Sequence, residues 1–147
     1  MASTFTRIIR RELPGEIVYE DEHAVALLDI HPKAEGHTLV VPRLELASFD
    51  DLPAEALAHL IAVVQKVARG VARAMGTPHY NLSLNNGAPA GQVIFHVHFH
   101  ISPRREGVSL ARPALHPGNE RLAQIGSAIR RALAEAGETD GPAGPAT

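Results

Sequence analysis

The chain has 147 residues, 45% of them hydrophobic, a net charge of −2 and no cysteine. That length is usual for one globular unit burying about two-thirds of its unfolded surface, and the charge balance lacks the clustered Lys and Arg that sequence-independent nucleic-acid binding needs. Disulfides and thiolate metal sites are excluded; with no signal-type apolar run in residues 1–11 and no stretch of about 18 apolar residues, the expectation is a cytoplasmic protein with neither a nucleic-acid nor a membrane partner.

Along the chain, Phe5 to Leu13 carries Ile8, Ile9 and Leu13 at the spacing of one apolar helical face, and Pro14-Gly15 ends it. Two extended runs follow, Glu16 to Glu20 and Ala24 to Asp29, joined by Asp21-Glu22-His23, short enough for a hairpin. Ile30 to Gly36 is a loop by its Pro32 and Gly36, and it delivers the β-branched run Thr38 to Val41, which Pro42 stops. Leu57, Leu60, Ile61, Val64, Val67 and Val71 repeat at helical spacing; Asp50 and Asp51 are candidate caps, Pro53 falls in the first turn and Gly76 past the end.

Tyr80 to Leu84 alternates again, Asn85 to Gly91 is turn-rich, and Val93 to Ile101 reads as a strand with Val93, Phe95, Val97, Phe99 and Ile101 facing the core. After an irregular basic stretch, Leu122, Ile125, Ile129 and Leu133 predict a second helix over 119–134. From Gly137 the composition offers nothing to bury, so residues 137–147 are expected to be a disordered tail behind a single domain over 1–136.

In Phe95-His96-Val97-His98-Phe99-His100-Ile101 the period of two puts His96, His98 and His100 on one surface. Such a row is a polar solvent face, a metal site or a catalytic apparatus. Strand faces toward solvent are ordinarily filled by Lys, Glu, Thr and Ser. At about 3.4 Å per residue the outer two histidines of a strand stand roughly 13 Å apart, too far for one ion with ligands about 2 Å away. Catalysis without metal suits imidazole: near neutrality much of it is unprotonated and nucleophilic, and the N–P bond it forms with a phosphoryl centre is labile. Phosphoryl and nucleotidyl transfer need mainly positioning and charge stabilisation.

His96-Val97-His98-Phe99-His100-Ile101 resembles the alternating motif of the histidine triad (HIT) family, departing only where Ser102 replaces a final apolar residue. Asn85-Asn86-Gly87-Ala88-Pro89-Ala90-Gly91-Gln92 looks like that family's Asn-x-Gly-x-x-x-Gly-Gln loop, and Asp29-Ile30 through His37 to Leu39-Val40-Val41-Pro42 looks like its Asp-Ile…His…Leu-Val-φ-Pro segment. The resemblance covers about residues 3 to 105. It implies an α+β HIT fold with a mainly antiparallel sheet, one long helix and a C-terminal helix, and a homodimer whose sheets join edge to edge. It also implies a purine nucleotide substrate cleaved between its α-phosphate and a leaving group, with no cofactor required.

By position, His98 is the nucleophile that becomes nucleotidylated, His100 assists the leaving group, and His96 and His37 complete the network that orients His98. A backbone carbonyl is expected to hold its other ring nitrogen and so fix the tautomer. Asp29 matches the carboxylate that binds the ribose hydroxyls; alone, it reads equally as a turn acceptor. Phe5, Ile8, Leu27 and Ile30 match the apolar walls around the purine, and Asn85, Gly91, Gln92 and the backbone of Val93 match the phosphate and leaving-group side. His23, His59, His79 and His116 match no family position and read as surface or capping residues. Two departures stand out. Val93 replaces a common Ser or Thr, removing a hydroxyl donor. Ser3, Thr6 and Glu45 stand where many bacterial relatives carry a Cys-x-x-Cys pair and a histidine that hold zinc, so that zinc site is expected to be absent. The triad's continuation Ile101-Ser102-Pro103-Arg104 also resembles the ending seen in dinucleoside polyphosphate hydrolases of the fragile-HIT type, a rival activity; a non-catalytic nucleotide- or partner-binding module is the other.

Overall fold

A computed structural model describes residues 1–137 of the chain; the predicted disordered tail lies, from residue 138 onward, outside the described residues. Helix α1 (Thr4–Ile9) is followed by β1 (Ile17–Glu20), β2 (Ala24–Leu28), β3 (Thr38–Pro42), the long α2 (Ala54–Met75), β4 (Tyr80–Ser83), β5 (Phe99–Pro103) and α3 (Asn119–Glu135). The five strands form one sheet in the order β1-β2-β3-β5-β4, with every neighbouring pair antiparallel. The β1–β2 hairpin closes without Asn-Gly because Asp21 Oδ1 accepts the backbone N–H groups of both His23 and Ala24, an Asx-type turn.

Alternation along the strands divides the sheet into two faces. On one, Val18, Ala26, Val40, Phe99 and Ile101 join Leu60, Val64, Val67 and Val71 of α2 and Leu122, Ile125, Ile129 and Leu133 of α3 in the main core. On the other, Leu27, Leu39 and Val41 pack with Phe5 of α1. Strand register extends this second row: Leu27 pairs with Leu39, and Leu39 with His100. A buried apolar strip therefore runs straight to the third histidine.

The structure departs from three sequence expectations. Asp50 and Asp51 do not cap α2: they lie in a 3-10 turn capped by Ser48, and α2 begins after Pro53. Its end is as predicted, with Gly76 in the left-handed region at φ 69°, where a side chain would be strained. Ile61 is exposed, whereas Val63 is fully buried. α3 approaches α2 at Gly70, where an added Cβ would meet Leu133; Val63, seven residues earlier, lies on that same side, and Ile61 does not.

The third departure bears on function. The strand predicted over 93–101 pairs only from Phe99, and Val93 and Phe95, expected to face the core, are exposed. Pro42 ends β3, and its carbonyl is taken by His96 Nε2 at 2.7 Å. The Val97 N–H turns instead to the carbonyl of Leu46, so the segment before Phe99 follows the chain beyond β3.

Candidate active site

His96 is fully buried. A carbonyl only accepts, so its bond from Nε2 to Pro42 O requires the proton on Nε2. Nδ1 is then an acceptor and takes the Ser3 hydroxyl at 2.6 Å. His98 bonds through Nδ1 to the backbone carbonyl of His96 at 2.7 Å. By the same logic Nδ1 carries its proton and Nε2 keeps the lone pair. The sequence expectation of a backbone acceptor fixing this ring thus has a specific partner, two residues away on the same segment.

A second chain of bonds fixes the other pair. The Lys33 N–H donates to His37 Nδ1 at 3.0 Å, so the His37 proton sits on Nε2, which lies 3.0 Å from His100 Nδ1. His100 therefore accepts at Nδ1 and carries its own proton on Nε2, a buried atom with no hydrogen-bond partner. An N–H left in that state costs about 1–3 kcal/mol. Burial holds all four imidazoles below the ordinary histidine pKa; for His100, burial and then the neighbouring His98 and His37 bring it to about 4. The row is neutral at physiological pH.

Beside these rings is a cavity of about 580 Å³, bounded by Phe5 and Ile8 of α1, Leu27, Asp29 and Ile30, Asn85 and Gly91, Val93, and His98 with His100. The Phe5 ring stands edge-on to His98, centroids 4.9 Å apart. Ten of the thirteen residues singled out in the sequence thus meet at one apolar hollow. The other three lie behind it. His37 and His96 support the lining histidines through the bonds above. Gln92, buried, turns into its own loop, accepting the Gly87 N–H and donating to the carbonyls of Ala47 and Ile94. Asp29 is a turn acceptor in part, its Oδ1 taking the His31 N–H, while Oδ2 lies 3.7 Å from His37 Nε2.

Several contributors escaped the sequence reading. Leu39 and Ile94 line the cavity, as do Leu13 and Pro14; Leu39 was accessible from the period-two pattern of β3, whereas Ile94 depends on the irregular approach to Phe99. The backbone donor of Lys33 has no side-chain signature at all. His59, read as surface or capping, bonds Asp21 Oδ2 at 2.8 Å, away from the cavity. Among the described residues, Asp29, His37 and His100 place three ligand atoms within 4.8 Å of one another, and an ion held there would have to displace the proton that His37 donates to His100.

A family model described as the HIT domain matches residues 10–107. The chain is 48% identical over 103 residues to an uncharacterized HIT-like protein of Methanocaldococcus jannaschii, covering 70% of this chain and 79% of that one. It is 38% identical to an adenylylsulfatase of Arabidopsis thaliana, covering 88% and 68%, and 35% identical to an adenosine 5′-monophosphoramidase of Saccharomyces cerevisiae, covering 84% and 78%. Among solved structures, a zinc-bound histidine triad family protein from Mycobacterium smegmatis superposes with a TM-score of 0.83 at 34% identity, covering 93% of this chain and 96% of that one. With the HIT model matching residues 10–107, these relatives at 35–48% identity and a solved HIT structure of the same fold, the chain belongs to the HIT family.

Proposed function

We propose that the protein cleaves a purine nucleoside phosphoramidate, or a similar purine nucleotide carrying a leaving group on its α-phosphate, through a covalent nucleotidyl-His98 intermediate, without an obligatory metal. The observation that carries this reading is the pairing of two oppositely prepared nitrogens at one apolar cavity: His98, whose Nδ1 proton is committed to His96 O, and His100, whose Nε2–H has no partner. The names of the yeast and plant relatives, a phosphoramidase and an adenylylsulfatase, support an adenylyl group joined to a variable leaving group.

In this mechanism the base enters between Phe5, Ile8, Leu27 and Ile30 and the ribose hydroxyls reach Asp29. The His98 Nε2 lone pair forms a bond to phosphorus as the bond from phosphorus to the leaving group breaks. The His100 N–H donates to the departing atom and stabilises the charge developing on it; the proton that an amine finally keeps comes from solvent. Asn85, Gly91 and the backbone of Val93 lie on the phosphate side. Water then attacks phosphorus, the N–P electron pair returns to His98, the water's proton leaves to solvent, and the nucleoside monophosphate departs.

The test is release of AMP from adenosine 5′-phosphoramidate in the presence of EDTA by the wild type and by His98→Ala. Turnover by the wild type alone supports the proposal, and full turnover by His98→Ala sinks it. A panel extending to adenylyl sulfate and dinucleoside polyphosphates ranks the leaving groups. We further propose a homodimer built on β4, the edge strand opposite β1, whose four residues are all exposed and include Tyr80 and Leu82; an unpaired strand edge with apolar side chains favours pairing with a second copy. Sedimentation equilibrium giving a monomer would refute it.

A further inference from the structure

The positions at which the sequence resemblance points to zinc in relatives converge here, but their chemistry is wrong for that ion. Structural zinc takes thiolate, imidazole and carboxylate ligands, whereas Ser3 and Thr6 offer neutral hydroxyls and only Glu45 and His96 remain, with Oε1 and Nδ1 4.0 Å apart. Every N–H and O–H donor of Ser3 and Thr6 is committed within the group. The Ser3 N–H and the Thr6 hydroxyl both donate to Glu45 Oε1, at 2.8 and 2.5 Å. Ser3 Oγ accepts the Thr6 N–H at 3.0 Å, capping α1, and donates to His96 Nδ1 at 2.6 Å.

We propose that Ser3, Thr6 and Glu45 form a metal-free clasp that docks α1 against His96 and thereby positions the nucleophilic ring of His98.

Two physical routes lead from the clasp to His98. The first is α1 itself: Phe5, between Ser3 and Thr6 in the first turn, is buried and packs its ring edge-on against both His96 and His98, at centroid separations of 5.8 and 4.9 Å. An α1 released from the clasp takes that wall with it, since a six-residue helix does not hold its own conformation. The second is His96: its side chain is tied at Nδ1 to Ser3 and at Nε2 to Pro42, and its carbonyl is the acceptor that holds the His98 Nδ1 proton. Loosening the side chain of His96 loosens the peptide that sets the His98 tautomer. Glu45 does not line the cavity, and its hydrogen bonds go to Ser3 and Thr6, so it acts as a positioning residue only.

The proposal rests on the reading of His98 as nucleophile, and a readout on substrate-free protein separates the two. Imidazole nitrogen–proton correlation spectra of the wild type, Glu45→Gln, Glu45→Ala and Ser3→Ala report each histidine tautomer directly. The wild type should show His98 as a single Nδ1–H species. Glu45→Gln retains an acceptor oxygen and should match it, with kcat/KM within about threefold, while Glu45→Ala should show averaged His98 nitrogen shifts and a kcat about tenfold lower, the scale of one lost hydrogen bond. Ser3→Ala removes the bond to His96 without touching the carboxylate and should act in the same direction; it carries the test if Glu45→Ala does not fold. An unchanged His98 tautomer in a folded Glu45→Ala or Ser3→Ala protein overturns the clasp, even if both lose thermal stability. So does a rise in melting temperature on adding one equivalent of zinc that Glu45→Ala abolishes, since the group would then be a metal site. Failure of the wild type to turn over any adenylyl substrate overturns the function instead, and leaves the spectra to decide the clasp.

Discussion

Replacing His37 by leucine separates two roles that the pair of facing imidazoles could have. In the structure His37 Nε2 donates to His100 Nδ1 at 3.0 Å, and this bond alone obliges His100 to keep its proton on Nε2. In His37→Leu the ring of His100 is free to carry the proton on Nδ1, which would turn a lone pair toward the departing atom. A buried hydrogen bond of ordinary net strength, about 0.5–1.5 kcal/mol, biases such an equilibrium by up to about tenfold; complete loss of a donor aimed at developing charge costs about 10²- to 10³-fold. The expected loss in kcat/KM is therefore up to about tenfold for an amine leaving group, which accumulates charge late and needs the donor, and stays below the cost of losing the donor outright. It falls to a small factor for an adenosine 5′-phosphate ester of nitrophenol, which departs unaided. Both substrates share nucleoside and phosphate, so their ratio is independent of the fraction of the variant that is folded, which matters because His100 Nδ1 is left unsatisfied. Equal losses on the two substrates would show that His37 serves only to hold the fold together, and the assignment of His100 as leaving-group donor would fail with it.

Three further outcomes follow from the geometry. Val93 lines the cavity with its side chain largely exposed, so Val93→Thr should add a hydroxyl donor on the phosphate side and raise kcat by about tenfold, less than the roughly 10²- to 10³-fold of a sole donor because the backbone N–H already serves there; an unchanged or lower kcat would show that the backbone N–H suffices. An added Cβ at Gly70 would lie 2.5 Å from Leu133 Cδ2, so Gly70→Val should lower stability by about 1–3 kcal/mol through overpacking between α2 and α3, with kcat unaltered, as read by urea unfolding beside turnover. Burial lowers the pKa of His37, His96, His98 and His100 in the fold, the last to about 4, against about 6.5 for unfolded histidine. Between those values the unfolded chain binds more protons than the fold does, so stability rises with pH across that window and levels off above it. Each such group adds up to about 1.4 kcal/mol per pH unit. A urea midpoint that does not fall between pH 7 and pH 5 would contradict the neutral histidine row.

The residues of the site were legible in the sequence because their signal is local. A period of two placed the three histidines together, and two further short motifs named Asp29 with His37 and the glycine loop. What was not legible was everything set by partners distant along the chain. The exposure of Ile61 is decided by where α3 meets α2, at Gly70 and Leu133. The link between Ser3 and His96 spans 93 positions and is carried by a hydroxyl that local pattern can assign only to a helix cap.

The strand that was predicted too long is the most informative of these misses, because the period-two pattern of 93–101 and the chemistry of the site make opposite demands on the same backbone. In a regular strand the carbonyl of His96 would be spent on a ladder bond and its neighbours would pair with β3. Instead the His96 side chain takes the carbonyl of Pro42, the last residue of β3, and pairing of β5 with β3 begins only at Phe99. The carbonyl of His96 is thereby available to receive the Nδ1 proton of His98. Had the ladder continued as the hydrophobic alternation suggested, His98 would have lacked a fixed acceptor, both tautomers would be open to it, and the fraction with its lone pair on Nε2 would fall. Interrupting the sheet at the first histidine leaves the second with its lone pair on Nε2, the state that the proposed nucleophilic role requires, and a sequence pattern that records only which side a residue faces carries no trace of that interruption.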